Sequence, residues 1–384
     1  MSVSGQKLEF TYGGYNNYKY SDYLKIPLPK LRAASVKLQL GDSAKACAYL
    51  KEAIKNGLYE PIRLNSSYKS LAYRKEWPGL LQMLEKRRKQ YQNPDNIEIN
   101  TTDITNFFKV LDKIDSPYAD SILMSEYFLK GSQGLKAFLD LKLANKPETM
   151  VFKIREQNKF YNSIRQMDKE VALLIPGIKN ATKKLEEYYP ESIFPPFYFI
   201  IGIFTIGGTP DIGNGLLIGS EFFSLTPQTD TTELSETQKF ALYDTSRLVP
   251  IVMHELIHIE QKNPWGTTLM EQCIIEGACD FIASLVIGTN PNPKLHEYGN
   301  AHEKELYLQF INKQTSTDFS NWLYNGSKKR NAGVPPNLGY YIGFKICEEY
   351  YLKNKNIKET IKKILEIEDY NFFFLESGYE NKFK

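Results

Sequence analysis

His254 and His258, with Glu255 beside the first, form an H-E-x-x-H pattern inside the apolar run PIVMHELIH (250–258). In an α-helix, residues four apart lie on one face about a turn from each other, so both imidazoles can meet one metal ion. Zinc suits such a pair. It takes neutral imidazole nitrogens at about 2.0–2.1 Å, and a catalytic site adds a third protein ligand and leaves a position for water. Glu255 lies roughly 100° around the helix from His254, placed to take that water's proton as general base without binding the metal. The third ligand is expected at Glu276. Along 268–287 the residues Gln272, Glu276 and Asp280 recur every four positions, a narrow polar stripe among apolar and small side chains, and a carboxylate there is costly unless it is paired or coordinates a metal. Asp280, one turn on, is expected to accept a hydrogen bond from the second ring nitrogen of His254 or His258 and fix its tautomer. Glu271 and Asp280 are the substitutes for Glu276 as ligand. The competing interpretation is two core histidines satisfied by backbone carbonyls beside an exposed Glu276.

The elements that must position these residues follow from the patterning. One helix is predicted from near Pro250 to Gln261 and another from Thr268 to Ile287, the second opened by a capping box at Thr268–Glu271 and stopped at Gly288, with the turn Asn263–Gly266 between them. Gly277 is expected to let these two helices approach closely. Strands are predicted at Phe197–Phe204 and Gly215–Phe223, rich in aromatic and branched residues, with a turn at Gly207–Pro210. Further helices are predicted over Ile104–Ile114, Tyr118–Leu129, Gly134–Ala144, a long one over Glu148–Tyr188 that Pro176-Gly177 should kink or break, His296–Ile311, Leu338–Leu352 and Ile357–Ile367. The expected class is α+β, mostly helical, with a small sheet beside the H-E-x-x-H helix. Hydrolysis of an amide also needs a donor for the charge that develops on the carbonyl oxygen. The candidates are Tyr340, Tyr341 and His302, with His296 behind them.

The chain has 384 residues, enough for two folded units, and its Lys+Arg 48 against Asp+Glu 45 point to no acidic or basic partner. No nucleic-acid partner is expected: the basic run Lys86–Lys89 lies on a predicted helix flanked by polar residues and is read as a solvated face. Cys47, Cys273, Cys279 and Cys347 show no C-x-x-C pairing and are expected as buried free thiols. No apolar stretch of membrane-spanning length is present, and Met1–Gly14 lacks the regions of a signal peptide. The compartment is left open, periplasmic or exported if the sequence is trimmed. Three parts are expected: an irregular lead-in (1–26), a helical hairpin (27–93) and a metal-bearing domain (94–384).

The hairpin, LQLGDSAKACAYLKEAIKNG followed by LYEPIRLNSSYKSLAYRKEWPGLL, is similar to the end of a tetratricopeptide-type array, and one such unit must dock on the rest of the chain to bury its apolar face. At H-E-x-x-H and E-x-x-x-D (276–280) the chain resembles the gluzincin, thermolysin-like metallopeptidases over roughly residues 195–285. A second resemblance, over about 100–384, is to the predicted zinc proteases related to gliding-motility lipoproteins of Bacteroidetes. Its supporting segments are YFLKGSQGLKAFLDLKL (127–143), FYNSIRQ (160–166), FPPFYFIIGIFTIGGT (194–209), GLLIGSEFF (215–223), MHELIHIEQ (253–261), EQCIIEGACDFIASLV (271–286) and LGYYIGFKICEEYY (338–351). These resemblances imply a Zn2+-dependent peptidase with a peptide or protein substrate and an exported location. In the gluzincin arrangement an edge strand beside the zinc helix receives the substrate, and Gly215–Phe223 is the candidate. The alternative function is a zinc-binding scaffold or interaction protein with a vestigial peptidase site, docking a protein partner through the hairpin.

Overall fold

The computed structural model describes residues 27–59, 66–211, 215–326, 333–354 and 356–384; the expected lead-in lies outside them. The first helices are α1 (Pro27–Gln39), α2 (Ser43–Lys55) and α3 (Trp77–Lys89). Gly41 makes the α1–α2 turn at φ 76°, and Asp42 caps α2 through the Lys45 N–H. These helices share a small core around Leu31, Cys47, Leu50, Trp77 and Leu84, separate from the main one. Arg87 and Arg88, read from sequence as a solvated face, instead donate to the carbonyls of Ile54 and Tyr59. They tie α3 to the end of α2. The unit is fastened to the rest by an ion pair from Arg32 to the buried Asp140, 2.9 Å, and by the Phe194 N–H donating to the Tyr91 carbonyl, 2.6 Å.

The main body carries β1 (Ile99–Asn100), α4 (Thr102–Leu111), α5 (Gln133–Leu141), α6 (Pro147–Glu156), α7 (Met167–Tyr188), β2 (Phe197–Ile200), β3 (Gly208–Asp211) and β4 (Gly215–Gly219). It continues with α8 (Leu248–Glu260), α9 (Leu269–Ile287), α10 (Pro293–Ala301), α11 (Glu303–Ile311), α12 (Leu338–Lys353), α13 (Ile357–Leu365) and α14 (Tyr370–Ser377). The expected α+β class, mostly helical with a small sheet, is what the chain adopts. Strand order is β1-β2-β4-β3, parallel except for β3, which pairs antiparallel with β4. Every residue of β2 and β4 is buried, as inner strands covered on both faces require.

Expectations for the sheet and for the long helix change. Strand β2 stops at Ile200 because the chain turns over 201–206 with Ile203 and Phe204 at positive φ, held by the buried Glu221 carboxylate, which accepts from the N–H groups of Gly202 and Phe204 at 2.9 and 2.7 Å. Gly215–Phe223 is not an edge: β4 lies between β2 and β3, and the edge on that side is β3, in the segment expected as a turn. The long helix expected over Glu148–Tyr188 breaks near Gln157 and Ile164, while Pro176 sits inside continuous α7. Ala172 and Pro176 are both exposed, so the carbonyl that loses its partner to proline faces water.

Helix α9 is the buried centre of the helical layer, with the expected capping box at Thr268–Glu271 and Gly288 left-handed at its end. Gly277 does permit a close approach, but to α12 rather than to α8. A Cβ on Gly277 would stand 2.1 Å from the Gly343 carbonyl carbon, and one on Gly343 would stand 1.6 Å from the Cys273 carbonyl oxygen. The two backbones touch there, with no room for a methyl on either side.

Candidate metal centre

Helix α8 presents His254 and His258 towards α9, whose Glu276 stands opposite them. His254 Nε2 and His258 Nε2 are 3.1 Å apart, and Glu276 Oε2 lies 3.3 Å from the first and 3.4 Å from the second. His254 and Glu276 are 6% and 5% exposed. The outer ring nitrogens fix the tautomers. His254 Nδ1 is 2.8 Å from Asp280 Oδ1, an acceptor only, and so donates. His258 Nδ1 is 2.9 Å from Gln261 Oε1, and that amide is oriented because its nitrogen donates to the Ile275 carbonyl at 2.8 Å. Both Nε2 atoms therefore present lone pairs to each other and to a carboxylate, an arrangement that needs a cation.

The triangle fits zinc. Ligands at about 2.0–2.1 Å in a tetrahedron stand about 3.3–3.4 Å from one another, against 3.1, 3.3 and 3.4 Å here. The surrounding carboxylates favour positive charge at this point, whether proton or metal. Burial alone would lower the two imidazoles, but Asp280 and Glu276 hold His254 well above its ordinary value, and Glu276 raises His258. Burial opposes the charge on Glu276, yet His258 and His254 bring it well below the carboxylate range. Cys279 also offers a donor atom within 4.8 Å of the two histidines. It approaches His258 on Nδ1, at 3.3 Å, the nitrogen already bound to Gln261, and burial keeps its thiol protonated. Glu276 is the better third donor.

Glu255 stands against β3. A Cβ on Gly208 would fall 2.6 Å from its Cγ and 2.9 Å from Oε1, so the glycine makes room for the side chain. Burial raises its carboxyl, with the two histidines opposing. Tyr340, at the start of α12, stacks on His254 with ring centroids 5.8 Å apart. The other donor candidates lie elsewhere. Tyr341 points around the same helix to Asn300, 3.0 Å, with His296 edge-on to its ring. His302 donates from Nδ1 to the Tyr298 carbonyl and stacks on that ring at 4.2 Å. His296 is a core histidine, lowered to about 4 by burial. Glu271, a substitute ligand from sequence, is used by the cap of α9.

Three residues at the centre were not foreseen. Gln261 follows His258 by three positions, and that helical spacing was a legible signal. Asn292 donates to Asp280 Oδ2 at 2.5 Å and accepts from Arg247 at 2.6 Å, extending the chain behind His254. Tyr324 donates to Glu276 Oε1 at 2.5 Å from an irregular segment, where no periodicity could have flagged it. The four cysteines are buried and free, as expected. Among the described residues no helix is long and apolar enough to cross a membrane.

No curated protein and no solved structure matches the chain. The family model described as "Gliding motility protein GldB" matches residues 85–381, from the last turn of α3 to the turn after α14, with the whole candidate centre inside it. That span is most of the chain, so this protein belongs to the gliding motility protein GldB family.

Proposed function

We propose that the chain is a zinc-dependent peptidase of gluzincin type, in which His254, His258 and Glu276 hold the metal and Glu255 is the general base. The observation that carries this reading is the meeting of two Nε2 lone pairs and one carboxylate oxygen in a triangle of zinc-site size. Zinc, when bound, supplies a Lewis acid and brings the pKa of the water it holds towards 7. The remaining work belongs to this chain's own residues. Asp280 and Gln261 keep the two Nδ1–H tautomers, Glu255 takes and returns a proton at its carboxylate, and Tyr340 is the donor for a carbonyl oxygen. Strand β3 runs beside α8, and among the described residues no strand pairs with its outer edge. An extended peptide adds there by backbone hydrogen bonds, next to Glu255. In the full-length chain loaded with zinc, Glu255→Gln is expected to keep the metal and lose hydrolysis of an unstructured protein such as casein by at least about 100-fold. Wild-type turnover in that variant would overturn the assignment.

A second reading, a zinc-holding interaction protein without turnover, is favoured by the family description, which speaks of motility and names no hydrolase. Here the N-terminal helices over 27–93, similar in sequence to the end of a tetratricopeptide-type array, would dock a protein partner. Wild-type protein carrying stoichiometric zinc but leaving every unstructured substrate uncut selects this reading.

A further inference from the structure

Each of the three donor groups is held from behind by a different part of the chain: His254 by Asp280 on α9, His258 by Gln261 at the end of α8, and Glu276 by Tyr324. The first two fix ring tautomers. The third divides the two oxygens of a carboxylate. Glu276 Oε2 faces both imidazoles, while Oε1 receives the Tyr324 hydroxyl at 2.5 Å. Tyr340 also hydrogen-bonds Glu276, but the Tyr324 bond is the one on Oε1, and its loss releases that oxygen to turn towards the centre.

The proton count assigns the bond. Gln272 Nε2 donates to the Gly266 carbonyl at 2.7 Å, which leaves Gln272 Oε1 facing the phenol oxygen at 3.1 Å. Tyr324 therefore has acceptors on both sides and one proton, and the shorter contact, to Glu276, takes it. The backbone is built to hold this pose. Tyr324 lies at φ 53°, a conformation that a bulky residue occupies only when its surroundings impose it. Next to it, Asn325 and Asn337 exchange backbone-to-side-chain hydrogen bonds at 3.0 and 2.8 Å. Gly339 N–H donates to the Trp322 carbonyl, and Leu323 is fully buried. Tyr324 as a residue is 58% exposed and its ring meets Phe319 edge-on, so burial in the core does not account for where the hydroxyl goes.

We propose that Tyr324 is a positioning residue that holds Glu276 as a one-oxygen zinc ligand. This rests on the zinc reading above, and the test separates the two. Zinc affinity of the full-length wild type, Tyr324→Phe and Gln272→Ala is measured by chelator competition, alongside unfolding of the metal-free proteins. Tyr324→Phe, which removes only the hydroxyl, is expected to bind zinc about 10–100-fold more weakly with metal-free stability unchanged, and X-ray absorption is expected to gain a second carboxylate oxygen at the metal. Gln272→Ala is expected to stay within about twofold of wild type. Equal affinity for Tyr324→Phe and wild type overturns the inference, as does a loss shared by Gln272→Ala or matched by lost metal-free stability. A wild type that binds no zinc overturns the zinc reading itself, and this inference with it.

Discussion

His254 and His258 each spend their Nδ1 proton on an outer partner, so the inner nitrogens meet as two acceptors 3.1 Å apart. A proton or a metal must resolve that contact, and the two compete. Because Asp280 and Glu276 raise the imidazoles above their ordinary value, the metal-free centre keeps a proton to higher pH. Zinc affinity is therefore expected to rise with pH from about 6 upwards, by roughly tenfold per unit for each proton released, and to level off above the raised pKa. Glu260 gives a separate pH effect. Burial raises its carboxyl to about 8, while its oxygen accepts from the Ile193 N–H. A group whose folded pKa is raised contributes stability that is complete below about pH 4.5 and lost as pH rises through about 8. Chemical unfolding of Glu260→Gln is expected to show a flatter pH profile and a gain of a few kcal/mol over wild type at pH 9. The placement of Glu276 and Asp280 beside the histidines was legible because a stripe every four residues is a helical signal. Tyr324 was not, since it reaches the centre from 48 residues away through an irregular segment.

The helices around the centre are set by glycine. Gly277 in mid-helix signals a close neighbour, and the sequence reading assigned that neighbour to α8, the next helix along the chain. The partner is α12, more than 60 residues on, because Gly343 leaves the matching gap. A contact between distant segments has no local signature, so only half of it could be read. Gly343→Ala is expected to force the backbones apart at the Cys273 carbonyl, costing about 1–3 kcal/mol or more in unfolding experiments and weakening zinc binding through the displaced Glu276. Strand β3 shows the same limit. Its residues Gly208 and Pro210 read as a turn, and only pairing with β4 makes them an edge strand.

Across the whole molecule, the two hydrophobic clusters divide near α3, close to where the family match begins. The α+β class was legible because periodic apolar patterns dominate the chain, while strand ends and helix breaks depended on buried groups such as Glu221 that act across the fold. Every residue of the candidate centre comes from 208–340. Removal of residues 1–92 is therefore expected to leave zinc affinity within about threefold of the full chain, and a rise in hydrolysis on that removal would identify the N-terminal unit as a brake. The most direct measurement is the zinc content of the full-length chain purified without chelators, beside His258→Ala and Glu276→Gln. The account predicts one zinc per chain in the wild type and a large loss in both variants. Wild-type protein free of zinc that takes up none when it is offered, or variants that hold it as tightly, would contradict it.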